Sequence, residues 1–200
     1  MPNSLLEIDG FTKDVVLVTF GGCASSASGI PPFEFLNSLR KWFPAYDKKF
    51  YIDVHQSWYH KGIQDISTSI EETRVYLETI IKDYKKVIFM GVSAGGYAAI
   101  LFGSLLQVTI VVAFIPQTIL TRNDTDIHYR DVKQFINTTT RYYLYGDTSV
   151  GNVDDLHHVS HVNHLQQFSN VHITYKHTLS LIEMRNSGEL QLLLETLLLS

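Results

Sequence analysis

The chain of 200 residues has a single cysteine, Cys23, so no internal disulfide can form and a reducing compartment is the expectation. Five prolines and twelve glycines are too few for collagen-like or low-complexity architectures. Basic residues are also sparse. Sixteen Lys and Arg stand against twenty Asp and Glu, for a net charge of −4 with neutral histidines and no basic cluster. That balance argues against a nucleic-acid surface. Long apolar runs are absent: even Ile110 to Ile115 falls far below the roughly 20 residues that a spanning helix needs. The N-terminus has neither the basic stretch nor the apolar core of a signal peptide. The expectation is a soluble, cytoplasmic protein with no membrane partner.

What is present is globular. Apolar residues make up 45% and charged residues 18%, and the mean hydropathy is +0.03. Residues 1–200 suit a single domain that buries about 70% of its unfolded surface. Short β-branched runs alternate with longer helical patterns. Strands are predicted at residues 15–20, 49–54, 86–90, 108–114, 141–145 and 171–175, and their near-continuous apolarity suits a sheet covered on both faces. Helices are predicted at 32–42, 66–84, 95–106, 153–168 and 190–199. This alternation implies βαβ units: an α/β three-layer sandwich with a mostly parallel sheet of about six strands. Sites in such sheets form beyond the carboxyl ends of the strands.

The third predicted strand runs into Gly91-Val92-Ser93-Ala94-Gly95 and then into a helix. G-x-S-x-G between strand and helix reads as a nucleophile elbow, whose tight turn needs glycine two before and two after the serine, with a glycine-lined packing turn and an idle serine as the alternative. The turn lifts the Ser93 hydroxyl outward, and the Ala94 amide at the helix start faces developing negative charge. A serine nucleophile needs a base. His177 follows the last strand at the same sheet edge and is the candidate; His172, within the strand, reads as structural. The acid that orients the base should come from the loop after the fifth strand. Asp147, Asp154 and Asp155 are available there, in that order of preference, and any of them could instead cap the following helix. The second oxyanion donor should be the Gly22 or Cys23 amide after the first strand. Cys23 itself, with no base adjacent in sequence, reads as a small packed thiol rather than a nucleophile.

These residues resemble the α/β-hydrolase superfamily over nearly the whole chain, and in particular compact lidless bacterial esterase-like members. The elbow, the Phe20-Gly21-Gly22 turn, Gly146-Asp147 with Asp154, and the late His177 carry the resemblance. It implies a minimal α/β-hydrolase fold, a Ser-His-Asp triad, a two-amide oxyanion hole and no cofactor. One departure is Ser149, which stands where such enzymes often place the acid. The segment Gln117 to Lys133, where larger relatives insert a lid, is short and polar, which implies an open site.

Trp58 and Tyr59, after the second strand, are candidates to line a substrate pocket or to cover the sheet edge. His157, His161 and His164 share a predicted helix face at a spacing compatible with zinc, but no His-Glu-x-x-His pattern accompanies them and no metal is expected. The expectation is a serine esterase that cleaves a small-molecule or glycan-linked ester or thioester through an acyl-enzyme. The rivals are a non-catalytic binding or scaffold protein that retains the fold, and a zinc hydrolase.

Overall fold

The computed structural model describes residues 4–23 and 33–200. Pro32, where the first helix is predicted to begin, lies outside them, as do Ala24 and Ser25 of the glycine turn. Among the described residues seven strands form one sheet: β1 (Leu5–Ile8), β2 (Val15–Phe20), β3 (Asp47–Tyr51), β4 (Lys86–Val92), β5 (Ile110–Phe114), β6 (Arg141–Asp147) and β7 (Val171–Lys176). Their order is β1-β3-β2-β4-β5-β6-β7, parallel except for the antiparallel β1–β3 pair. β1 is the strand absent from the sequence reading. Its four residues are too short for a pattern, and its edge position needs only one partner.

Among the described residues six α-helices flank the sheet: α1 (Leu36–Trp42), α2 (Ile70–Ile81), α3 (Ala94–Leu105), α4 (Ser160–Asn163), α5 (Leu181–Asn186) and α6 (Glu189–Leu199). The alternation along β2 shows how they divide. Val16, Val18 and Phe20 join one core with Leu77 of α2 and Leu101 of α3, while Leu17 joins a second core with Leu39 of α1, Met184 of α5 and Leu194 of α6. One helical layer therefore covers each face. Each fully buried aliphatic side chain contributes about 1.5–3 kcal/mol.

α2 starts where the Ser69 side chain accepts the Glu72 amide, while Glu72 returns to the Thr68 amide and hydroxyl. Its Ile70, Thr73, Leu77 and Ile81 form the buried stripe. α3 is buried almost all round, as its composition implies.

The helix predicted at 153–168 survives only as α4. Gly151, Asn152, Asp154 and Asp155 favour turns over helix, and the Asn152 and Asp155 side chains accept the Asp154 and His157 amides. The irregular segment 148–159 is thereby free to run back over the carboxyl end of the sheet. Among the described residues no helix is long and apolar enough to cross a membrane.

Candidate active site

The turn between β4 and α3 is closed by backbone contact. A Cβ on Gly91 would lie 2.3 Å from the Gly95 carbonyl, and one on Gly95 would lie 1.9 Å from the Phe20 carbonyl oxygen. Ser93 takes φ 55° and ψ −118°. A positive φ on a residue with a Cβ stores about 1–3 kcal/mol, held here by the surrounding strands. The Ser93 amide donates to the Phe114 carbonyl at 2.9 Å, tying the elbow to β5.

The Ser93 hydroxyl lies 2.9 Å from Nε2 of His157. This histidine sits in the segment after β6, and the structure pairs it with the serine in place of His177. Asp155 Oδ1 accepts the His157 backbone amide at 2.8 Å and lies 3.7 Å from its Nδ1. The carboxylate thus fixes the loop first and faces the imidazole second. Asp155, third among the acids on sequence, is the one beside the imidazole that meets Ser93.

Asp147 has a different task. Its oxygens accept the Ser149 amide and hydroxyl, the Thr178 amide and the Leu179 amide, at 2.6 to 3.2 Å. Burial alone would raise its pKa; the Ser149 hydroxyl and the Leu179 amide lead the hydrogen bonds that bring it below the usual value. These bonds pin the turn after β7 to the end of β6. His177 within that turn is exposed, and no hydrogen bond joins its side chain to any described residue. β7 is the third strand from β4, about 14 Å away at about 4.8 Å per strand, and the turn is drawn toward Asp147 instead of across the sheet. Asp154 is exposed as well and meets neither Ser93 nor His157.

The oxyanion candidates divide. Ala94 opens α3, where amides lack intrahelical partners. The Gly22 amide is already committed, donating to Glu34 Oε1 at 3.1 Å. Among the described residues Glu34 Oε2 is buried with no hydrogen bond of its own, and burial pushes this carboxyl up to about 7 against the opposing pull of the Gly22 and Val92 amides. Cys23 is the other sequence candidate for the second amide. Its thiol is pushed up to about 12 by burial, reinforced by Asp53, so it carries no thiolate at neutral pH.

Tyr59 is fully buried, and its hydroxyl donates to the Gly21 and Tyr51 carbonyls at 3.1 Å. Trp58 is 5% exposed, with the Arg122 guanidinium 4.6 Å above its ring and its indole N–H donating to Gln117 Oε1 at 2.9 Å. Gln117, which sequence reasoning read only as the start of a short polar segment, is fully buried and reaches Ser93 itself.

The histidine face also separates. His161 Nδ1 accepts the Thr118 amide, His164 pairs with Asp131, and His157 faces Ser93. Among the described residues no group of three or more His, Cys, Asp or Glu side chains is placed to hold a metal ion. A depression of about 620 Å³ opens on the Leu156 side of His157, with exposed Ile119, Val153 and Leu156 along it.

Comparison with known proteins turns on the fold. No family model matches the sequence, and no curated protein matches it. Solved structures do. A capsule O-acetyltransferase of Neisseria meningitidis serogroup A superposes with a TM-score of 0.67 at 14% identity, covering 96% of this chain and 92% of that one. An α/β hydrolase from a lagoon-sediment metagenome gives 0.60 at 14% identity over 98% and 95%. The monoacylglycerol lipase of Paleococcus ferrophilus gives 0.54 at 11% identity over 88% and 89%. At such identities the likeness is one of fold.

Proposed function

Starting from a chain that has the α/β-hydrolase fold, we propose that this protein is a serine-dependent acyl hydrolase acting on an ester or thioester through an acyl-enzyme. The observation that carries this reading is the 2.9 Å contact between the Ser93 hydroxyl, on its strained elbow, and His157 Nε2. A serine and an imidazole in hydrogen-bond contact form the minimal activated nucleophile.

Ser93 Oγ attacks the substrate carbonyl as His157 Nε2 takes the hydroxyl proton. The carbonyl oxygen becomes an oxyanion that the Ala94 and Cys23 amides receive. On collapse, the bond to the alcohol or thiol leaving group breaks and His157 returns the proton to it. Water then repeats the sequence against the acyl-serine and releases the acid. Asp155, 3.7 Å from Nδ1, favours the imidazolium that forms in both halves.

A second reading differs only in the acceptor: a sugar or other alcohol takes the acyl group in place of water. Structures of the capsule O-acetyltransferase favour it, at TM-scores of 0.64–0.67, one of them a mutant in complex with CoA.

Incubation with a fluorophosphonate probe, followed by peptide mass spectrometry, tests the shared step. Wild type should be labelled on Ser93, and Ser93→Ala should lose both labelling and p-nitrophenyl acetate turnover while retaining its circular dichroism. Labelling that persists in Ser93→Ala refutes the nucleophile. Release of p-nitrophenol from the acetate that accelerates with added alcohol, with acylated alcohol as product, selects transfer over hydrolysis.

A further inference from the structure

We propose that Gln117 directs the Ser93 hydroxyl proton onto His157, and that Trp58 is the residue that keeps Gln117 oriented to do so. The inference rests on the reading of Ser93 as nucleophile and adds to it the group that aims the nucleophile.

A carboxamide has two faces, an oxygen that accepts and an NH2 that donates. An indole N–H can only donate. Trp58 Nε1 lies 2.9 Å from one end of Gln117, so that end is the oxygen. The NH2 is thereby turned to the other side, where it has two acceptors: the Leu156 carbonyl at 2.9 Å and Ser93 Oγ at 3.1 Å. With one lone pair occupied by this N–H, the hydroxyl has its proton left to place. Its two acceptors are His157 Nε2 at 2.9 Å and Gln117 Oε1 at 3.4 Å. The shorter path leads to the base, and the Trp58 N–H already engages the competing oxygen.

The Leu156 bond does a second job, since it anchors the backbone directly before His157. One buried amide therefore grips both partners of the proton transfer. Gln117 is fully buried, which makes each of its bonds costly to lose.

The support for Trp58 is built with equal care. Asp53, fully buried, accepts the His55, Ser57 and Tyr59 amides at 2.7 to 3.1 Å. Those bonds hold a loop in which Gln56, Trp58 and Tyr59 all have positive φ. Such a loop fixes one direction for the indole. Among the described residues, the ionisable groups near the amide and its partners include His157, Asp155 behind it and His161 from the segment after β6, Arg122 above Trp58, and Cys23 and Asp53 beside the Trp58 loop.

The test is the rate of fluorophosphonate labelling between pH 5 and 9, in which the Ser93 oxygen bonds phosphorus and fluoride leaves. In Gln117→Glu the introduced carboxylate, when ionised, can only accept. It draws the hydroxyl proton away from His157 and repels the Leu156 carbonyl. Labelling at pH 8 should fall by about 100-fold, and the ratio to wild type should recover as the pH is lowered and the carboxyl takes up a proton. A deficit that is the same at every pH, or a rate within about twofold of wild type, overturns the inference. Trp58→Phe keeps a ring but frees Gln117 Oε1 to compete for the proton, and it should label several-fold more slowly with unchanged circular dichroism. If Gln117→Glu does not fold, this variant decides, and a wild-type rate there overturns the inference. Failure of wild type itself to label refutes the nucleophile reading, and this inference with it, which separates the two failures.

Discussion

Ser93, His157 and Gln117 each have a partner that leaves little freedom. His157 stands between the Ser93 hydroxyl and Asp155, so its removal takes away the only imidazole within reach of the serine among the described residues. We expect His157→Ala to slow ester turnover by about 10³-fold, within the range for loss of a general base, while His177→Ala stays near wild type. Steady-state kcat/KM on p-nitrophenyl acetate measures both. Comparable losses in the two variants would show that the turn after β7 closes over the site during turnover. Asp147 would then be the carboxylate nearest to His177, because it already holds the amides of the next two residues.

At the scale of elements, five connections leaving the carboxyl ends of strands meet around one serine. The turn after β2 supplies Gly22 and Cys23, the loop after β3 supplies Trp58, β4 leads into Ser93, β5 into Gln117, and β6 into Asp155 and His157. The elbow is the tightest of these joints, because β2, β4 and α3 touch there through backbone alone. An added methyl at Gly95 has nowhere to go, with the Phe20 carbonyl oxygen 1.9 Å away. Gly95→Ala should therefore cost at least about 3 kcal/mol or prevent folding, while Gly151→Ala, with nothing within 4 Å of its added carbon, should stay within about 0.5 kcal/mol. Urea unfolding midpoints measure the pair. A mild Gly95→Ala effect would mean that the elbow can open, and with it the outward projection of Ser93.

For the whole molecule, the buried carboxyl of Glu34 links stability to pH. Its pKa rises from 4.5 to about 7 on folding, chiefly through burial, so the folded chain binds the proton more tightly than the unfolded chain. The contribution is present below pH 4.5 and is lost as the pH climbs toward 7. Glu34→Gln cannot ionise and should lose this slope. Between pH 5 and 8 its stability should gain on wild type by up to about 3 kcal/mol, read from urea midpoints at each pH. A constant difference between the two proteins would place the ionised carboxylate in a better-solvated setting than its buried position beside the Gly22 amide.

The layered α/β architecture was legible in the chain itself, because a parallel sheet buried on both faces demands runs such as Val15–Phe20 and Ile110–Phe114, and such runs are local patterns. The elbow was legible for the same reason: Gly91 and Gly95 answer a steric demand set within five residues. The identity of the imidazole was not local. The signal for His157 was present in Asp155-Leu156-His157, a short turn in which the acid accepts the amide two residues on, but the histidines beyond it imitate a helix face. Whether that segment coils or folds back over the sheet depends on what waits at β4 and β5. Gln117 had no signal at all beyond following Pro116. Its role exists only because Trp58, Leu156 and Ser93, spread across 98 residues between Trp58 and Leu156, converge on one buried amide. Backbone sterics and hydrophobic burial are written residue by residue; the direction of a hydrogen bond between distant side chains is decided only when the chain has closed around them.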